Sequence, residues 1–288
     1  MGFASRLSDE VRARGSALVL GLDPRLPRMP RAYRERGSEG IGPFHARLIE
    51  LLDPFVVGVK PQIAFFECLG EEGLGVYAQS CRLAREAGLL VIGDVKRGDI
   101  GSTAEAYAQA HFAWADAITV NPLLGSDSIR PFLDHCRQGA TGIFVVTASS
   151  NPSWAEFQGF RDSEGKPLYL AIARAVRAWN AGLRAAAEPF GPVGAVVAAT
   201  HPRVVAEVRG AAPESWLLMP GVGAQGASLR ELAPAFDRDG LGGLVPVSRA
   251  LQACFDPEDP DWERRVVESA RALLGELQDS VPALARSR

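Results

Sequence analysis

The chain has 288 residues, 47% hydrophobic and 23% charged, with a formal net charge of −3. That balance supports a sizeable core and excludes a disordered chain, a membrane-spanning one and the basic footprint of a nucleic-acid binder. Cys68, Cys81, Cys136 and Cys254 form no CxxC pair, which argues against a zinc ribbon or thioredoxin-like motif and for buried structural thiols.

The first ten residues carry Arg6, Asp9 and Glu10 and lack the apolar core of a signal peptide, so a cytoplasmic protein is expected. Short Val/Ile/Leu-rich runs then alternate with helical patterns. Candidate strands lie at 17–22, 55–60, 89–95, 117–121, 142–147, 194–200, 216–220 and 243–247. Candidate helices lie at 43–52, 75–87, 102–114, 127–137, 168–187, 202–208, 228–236 and 261–277. Eight βα units in this length predict an α/β fold, a closed (β/α)8 TIM barrel forming a single domain over 1–278, with a doubly wound open sheet as the alternative. The tail 279–288 is expected to fray.

Polar residues stand at the strands' carboxyl ends: Asp23, Lys60, Asp94 with Lys96, Asn121, Ser149 with Ser150, Thr200 with His201, and Ser248 with Arg249. That face carries the site in such barrels. The long connections 24–42, 151–167 and 221–228 fit lids or binding loops on it.

The densest chemistry is Asp94-Val95-Lys96-Arg97-Gly98-Asp99-Ile100-Gly101-Ser102-Thr103. Strand residues two apart share a face, so Asp94 and Lys96 point the same way, while Asp99 opens the next helix. One reading is a surface ion pair beside a helix start, with Ser102 and Glu105 as a capping box. The other joins Lys60 to them in an alternating Lys-Asp-Lys-Asp array; charges at a strand end are costly to desolvate unless paired, which favours it. A lysine between carboxylates is expected to have a raised pKa, which suits a proton donor rather than a Schiff-base nucleophile.

Gly221-Val222-Gly223-Ala224-Gln225-Gly226 matches GxGxxG, but it follows a late strand and no acid ends the next one. A phosphate cradle, built from backbone N–H groups at Gly223 with Gln225 and Arg249, therefore fits better than nicotinamide binding. Ser149-Ser150-Asn151-Pro152 reads equally as a turn or as a reader of a heterocycle's polar edge. His45, His111, His135 and His201 show no metal-ligand spacing, so no metal is expected, and His201 is expected to cap the following helix. No GxSxG nucleophile elbow occurs.

Together these residues resemble the orotidine 5′-phosphate decarboxylase family in its longer bacterial form. The resemblance runs from Gly21-Leu22-Asp23-Pro24-Arg25 through Val59-Lys60-Pro61-Gln62, Ala64-Phe65-Phe66-Glu67, the Asp94 motif and Asp116-Ala117-Ile118-Thr119-Val120-Asn121-Pro122. It continues through Ser150-Asn151-Pro152, Gly194-Ala195-Val196-Val197 and Pro220-Gly221 to Ser248-Arg249.

It implies a barrel that dimerises mouth to mouth and converts orotidine 5′-phosphate to UMP and CO2 in pyrimidine biosynthesis, without cofactor or metal. It further implies Lys96 as proton donor to C6, and Asp94 with Lys60 ordering the charges. Asp99 and Thr103 would reach the partner's site. Asp23 and Lys60 would meet ribose hydroxyls, Ser150 the pyrimidine edge, and Gln225 and Arg249 the phosphate. Two positions depart from the family pattern: Ser149 replaces Thr, and 245–250 lacks the Asn and Gly that flank the Ser-Arg pair. The DxKxxD spacing is shared with related sugar-phosphate enzymes. A lyase or synthase of the same superfamily, or a non-catalytic nucleotide-binding barrel, therefore stands as the alternative.

Overall fold

Runs of Val, Ile and Leu without polar alternation form strands only if both faces are covered, and that is how they are used. In the computed structural model, which describes residues 2–223 and 226–285, eight parallel strands close on themselves in chain order. They are β1 (Leu18–Leu22), β2 (Gly58–Pro61), β3 (Leu90–Arg97), β4 (Ala117–Val120), β5 (Gly142–Ala148), β6 (Val193–Val197), β7 (Leu217–Leu218) and β8 (Gly243–Val247). β1 pairs with both β2 and β8, which excludes the open sheet. Every residue of β1, β2, β4, β6, β7 and β8 is buried, whereas in β3 Lys96 is exposed and Arg97 half-buried.

The first helix, α1 (Phe3–Arg14), precedes the barrel. The outer ring contains α2 (Ile41–Leu52), α3 (Glu71–Glu86), α4 (Gly101–Phe112), α5 (Ser126–Arg137), α6 (Leu168–Ala181) and α7 (Pro202–Ala211). A 3₁₀ segment, Leu229–Ala235, stands where a helix was expected, because Pro234 lacks the N–H an α-helix needs there. α8 (Trp262–Ser280) and α9 (Pro282–Ala285) end the described chain. No helix among the described residues is long and apolar enough to cross a membrane.

Four expectations need correction. The tail does not fray over 279–285: α8 runs to Ser280, and Leu284 is buried beside Gly15 and Gly240. α6 stops at Ala181 rather than 187, because Asn180 turns inward and bonds the backbone N–H and C=O of Val193, tying the helix end to β6. The Ser102–Glu105 capping box is absent, since α4 begins at Gly101 and makes no side-chain cap bond. Only Cys81 and Cys136 are buried thiols, with pKa values pushed up to about 12 by burial; Cys68 is exposed and Cys254 half-buried.

α1 was not anticipated. Phe3, Leu7 and Val11 recur every fourth residue and are buried. Gly15, at φ 58°, closes the helix as Gly15 and Ser16 donate to Arg12 and Val11 carbonyls. Arg6 of this helix bonds Asp116, whose other oxygen accepts the Val91 N–H at 2.9 Å.

Candidate active site

The carboxyl end of β3 departs from regular pairing. Gly93 pairs with Ile118 of β4, and pairing resumes only at Arg97 with Val120, so β3 spends extra residues against its neighbour. Inside that bulge Lys96 takes φ 45°, the one positive φ at a non-glycine among the described residues. Asp94 and Lys96 do come together, but through this left-handed turn rather than by the simple alternation of a strand.

The Asp94 carboxylate collects four donors. Lys60 at the end of β2 donates to Oδ2 at 2.7 Å, and the Gln62 amide donates to the same oxygen at 3.0 Å. The Lys96 ammonium and the Thr119 hydroxyl donate to Oδ1, the latter at 3.1 Å. Burial opposes ionisation of Asp94, but the two lysine charges outweigh it and hold its pKa below the usual carboxylate range. Burial likewise works to lower Lys60, and the charges of Asp94 and Asp23 outweigh it, leaving its pKa raised. The Lys60 side chain is 10% exposed and that of Lys96 46%, so Lys96 is the more accessible of the two ammoniums.

Across the mouth, β1 and β8 approach closely. A Cβ on Gly21 would lie 2.7 Å from Ser248 Cβ, so only glycine lets the strand ends meet. The approach lets Ser248 donate to Asp23 Oδ2 at 2.7 Å, while Gln252 donates to Ser248 Oγ at 2.8 Å. Asp23 Oδ1 and Thr200 Oγ1 are buried with no hydrogen-bond partner among the described residues. A cavity of 390 Å³ opens here, lined among others by Asp23, Lys60, Gly221 and three arginines, Arg25, Arg28 and Arg249. No ion pair among the described residues includes any of these three guanidiniums. The long connection after β1 forms one wall, docked on the β8 side by the Arg31 N–H on Pro257 O and by Tyr33 against Trp262.

A family model described as the orotidine 5′-phosphate decarboxylase / HUMPS family matches residues 18–258. The orotidine 5′-phosphate decarboxylase of Roseiflexus sp. (strain RS-1) is 43% identical over the whole of both chains. That of Rhodopirellula baltica is 41% identical over 87% of this chain and 88% of its own. The solved structure of Leishmania donovani OMP decarboxylase superposes with a TM-score of 0.79 at 34% identity, covering 97% of this chain and 99% of that one. The chain belongs to this family.

Of the site residues expected for an orotidine 5′-phosphate decarboxylase, the structure joins Lys60, Asp94 and Lys96 directly and places Asp23 and Arg249 on the adjoining cavity. Asp99 is not part of the array within one chain; its Oδ1 accepts the N–H of Ile100 at 2.8 Å. Thr103 is exposed on the first turn of α4, and Ser150 is half-buried past β5. Gly223 takes φ 76° in the loop after β7, while Gln225 lies outside the described residues.

The departure at Ser149 is absorbed locally. Its N–H donates to Gln158 Oε1 at 2.7 Å, and its hydroxyl accepts from the Gln158 amide at 3.0 Å and donates to Asn151 Oδ1 at 2.7 Å. In the other departure, Ser248 holds Asp23 directly. Asn121 is a turn residue whose Oδ1 accepts the Leu123 N–H. His201 makes no side-chain cap bond; its ring lies against Trp154, with centroids 4.6 Å apart.

Sequence reasoning missed Gln62, Thr119, Arg25 and Arg28. Thr119 is the one polar residue of apolar β4 and Gln62 directly follows β2, and those positions were the available signal.

Proposed function

We propose that this chain is a carboxy-lyase that converts orotidine 5′-phosphate to UMP and CO2 in pyrimidine biosynthesis. The observation that carries the reading is the buried Asp94 carboxylate holding two lysine ammoniums at the end of β3, in a chain of this family. Breaking the bond between C6 and its carboxylate releases CO2 and leaves the electron pair on C6, where no carbonyl or imine delocalises it. Fixed charges in a water-poor site must then stabilise it.

Lys96, the accessible ammonium, supplies that charge and gives its proton to C6. Asp94, kept ionised by Lys60, orients Lys96 and repels the substrate's own carboxylate. Asp23, with one carboxylate oxygen free of partners among the described residues, and Lys60 take the ribose hydroxyls. Arg249, with Gly223 and Gln225, takes the phosphate, and Arg25 and Arg28, which make no ion pair among the described residues, strengthen the positive field of that wall. Ser150 reads the pyrimidine edge.

The same reading includes a homodimer with facing mouths, in which Asp99 and Thr103 complete the partner's site. Its support is the exposed apolar side chains on the connections after β3 and β4: Ile100 at 58%, Leu123 at 75% and Leu124 at 53% exposed. A cytoplasmic location belongs to the proposal too, consistent with four free cysteines.

Incubation with orotidine 5′-phosphate tests the activity. Orotate absorbance is expected to fall at the same rate with and without EDTA. Absence of turnover in both would reject the reading, and turnover abolished by EDTA would reject the metal-free mechanism.

A further inference from the structure

We propose that Thr119, on β4, is a positioning residue whose hydroxyl holds the left-handed turn at Lys96 and thereby sets where the Lys96 ammonium and the Asp94 carboxylate stand. The inference rests on the decarboxylase reading above and deepens it.

Three contacts converge on one oxygen. Thr119 Oγ1 accepts the N–H of Val95 at 2.9 Å and that of Lys96 at 2.8 Å, and the hydroxyl donates to Asp94 Oδ1 at 3.1 Å. A hydroxyl has two lone pairs and one proton, so its capacity is filled. Both N–H groups belong to the bulge, where the ladder between Gly93 and Arg97 is interrupted. Without Thr119 they would be donors lacking a backbone acceptor. Thr119 is 1% exposed, which leaves no route for bulk water to replace it.

The backbone at Lys96 gives a second line of support. A lysine side chain gains nothing from φ 45°, and such a conformation persists only where its surroundings over-determine it. The surroundings here are the Thr119 oxygen below the peptide and the Asp94 carboxylate at the end of the side chain. The same hydroxyl reaches both, so backbone strain and carboxylate orientation are coupled through one atom. Valine fills the space of threonine on a strand yet offers neither acceptor nor donor, whereas serine keeps both.

Steady-state kinetics on orotidine 5′-phosphate, with UMP inhibition as the measure of binding, separate positioning from simple destabilisation. Thr119→Val is expected to lower kcat by about 100-fold, the scale of an ångström's misplacement, with KM and UMP inhibition within about threefold of wild type. Thr119→Ser is expected to recover kcat to within about fivefold, because it keeps all three bonds. Should Thr119→Val not fold, Thr119→Ala takes its place in the comparison.

Wild-type kcat in Thr119→Val, or equal losses in the Val and Ser variants, would overturn the proposal while leaving the decarboxylase reading intact. Absence of turnover in the wild type would instead reject that reading. The positioning role is then decided by crystallography of Thr119→Val. Relaxation of residue 96 to negative φ with loss of its Asp94 contact supports it, and an unchanged turn overturns it.

Discussion

Lys60 and Lys96 hold one carboxylate, yet their surroundings suit them to different work. Lys60 is enclosed, with its charge secured by Asp94 and Asp23; Lys96 stands half-exposed on a backbone turn that costs about 1–2 kcal/mol for an L-residue. The carboxylate between them links the site to stability. Because the folded pKa of Asp94 is depressed, its contribution is fully present above the ordinary aspartate value of about 3.9 and is lost as pH falls through the folded value.

Asp94→Asn is therefore expected to be destabilised at neutral pH by about 3–5 kcal/mol, since it removes the only carboxylate hydrogen-bonded to buried Lys60 among the described residues. Urea unfolding should show the gap from wild type steady between pH 5 and 8 and narrowing below about pH 4. A gap unchanged at pH 3 would contradict the assignment. At this scale Asp94, Lys96 and Lys60 were legible because opposite charges at strand ends are conspicuous. Thr119 was not, since threonine is an ordinary strand former and its hydroxyl matters only once β3 bulges against it.

Single elements position the site through their irregularities. The bulge in β3 re-aims Lys96, and the bare Cα of Gly21 lets β1 approach β8 until Asp23 meets Ser248. Gly21→Ala is expected to force those strand ends apart, costing about 1–3 kcal/mol as overpacking does. Because the Asp23–Ser248 bond and the Arg249 wall move together, KM for orotidine 5′-phosphate should rise more than kcat falls. Denaturant melts and kinetics check both, and a variant with wild-type stability and KM would refute the packing argument. Strand positions were legible because a buried parallel strand is apolar throughout. Helix ends were less so: α6 stops where Asn180 finds β6, a tertiary partner that local sequence does not reveal.

The whole molecule divides its labour between two ends. At the amino end Asp116 binds Arg6 and the Val91 backbone, tying α1 under the barrel. At the carboxyl end lie the charges, the cavity and the exposed Ile100, Leu123 and Leu124. If Asp99 serves a neighbouring subunit, Lys96→Ala and Asp99→Ala proteins should each be nearly inactive. Mixed and allowed to exchange subunits, they should regain activity, since one heterodimer site is intact. Absence of recovery despite exchange shown by mass spectrometry would place both residues in one chain's site.

The sequence alone determined the eight-fold alternation and the charged residues gathered at the strands' carboxyl ends, because apolar runs and strand-end charges are local patterns. Only the tertiary structure decided that Asp94 gathers Lys60, Gln62, Lys96 and Thr119, and that Arg25 and Arg28 join Arg249 around one cavity. Those groups come from different strands and loops, and barrel closure with its register shift brings them within reach.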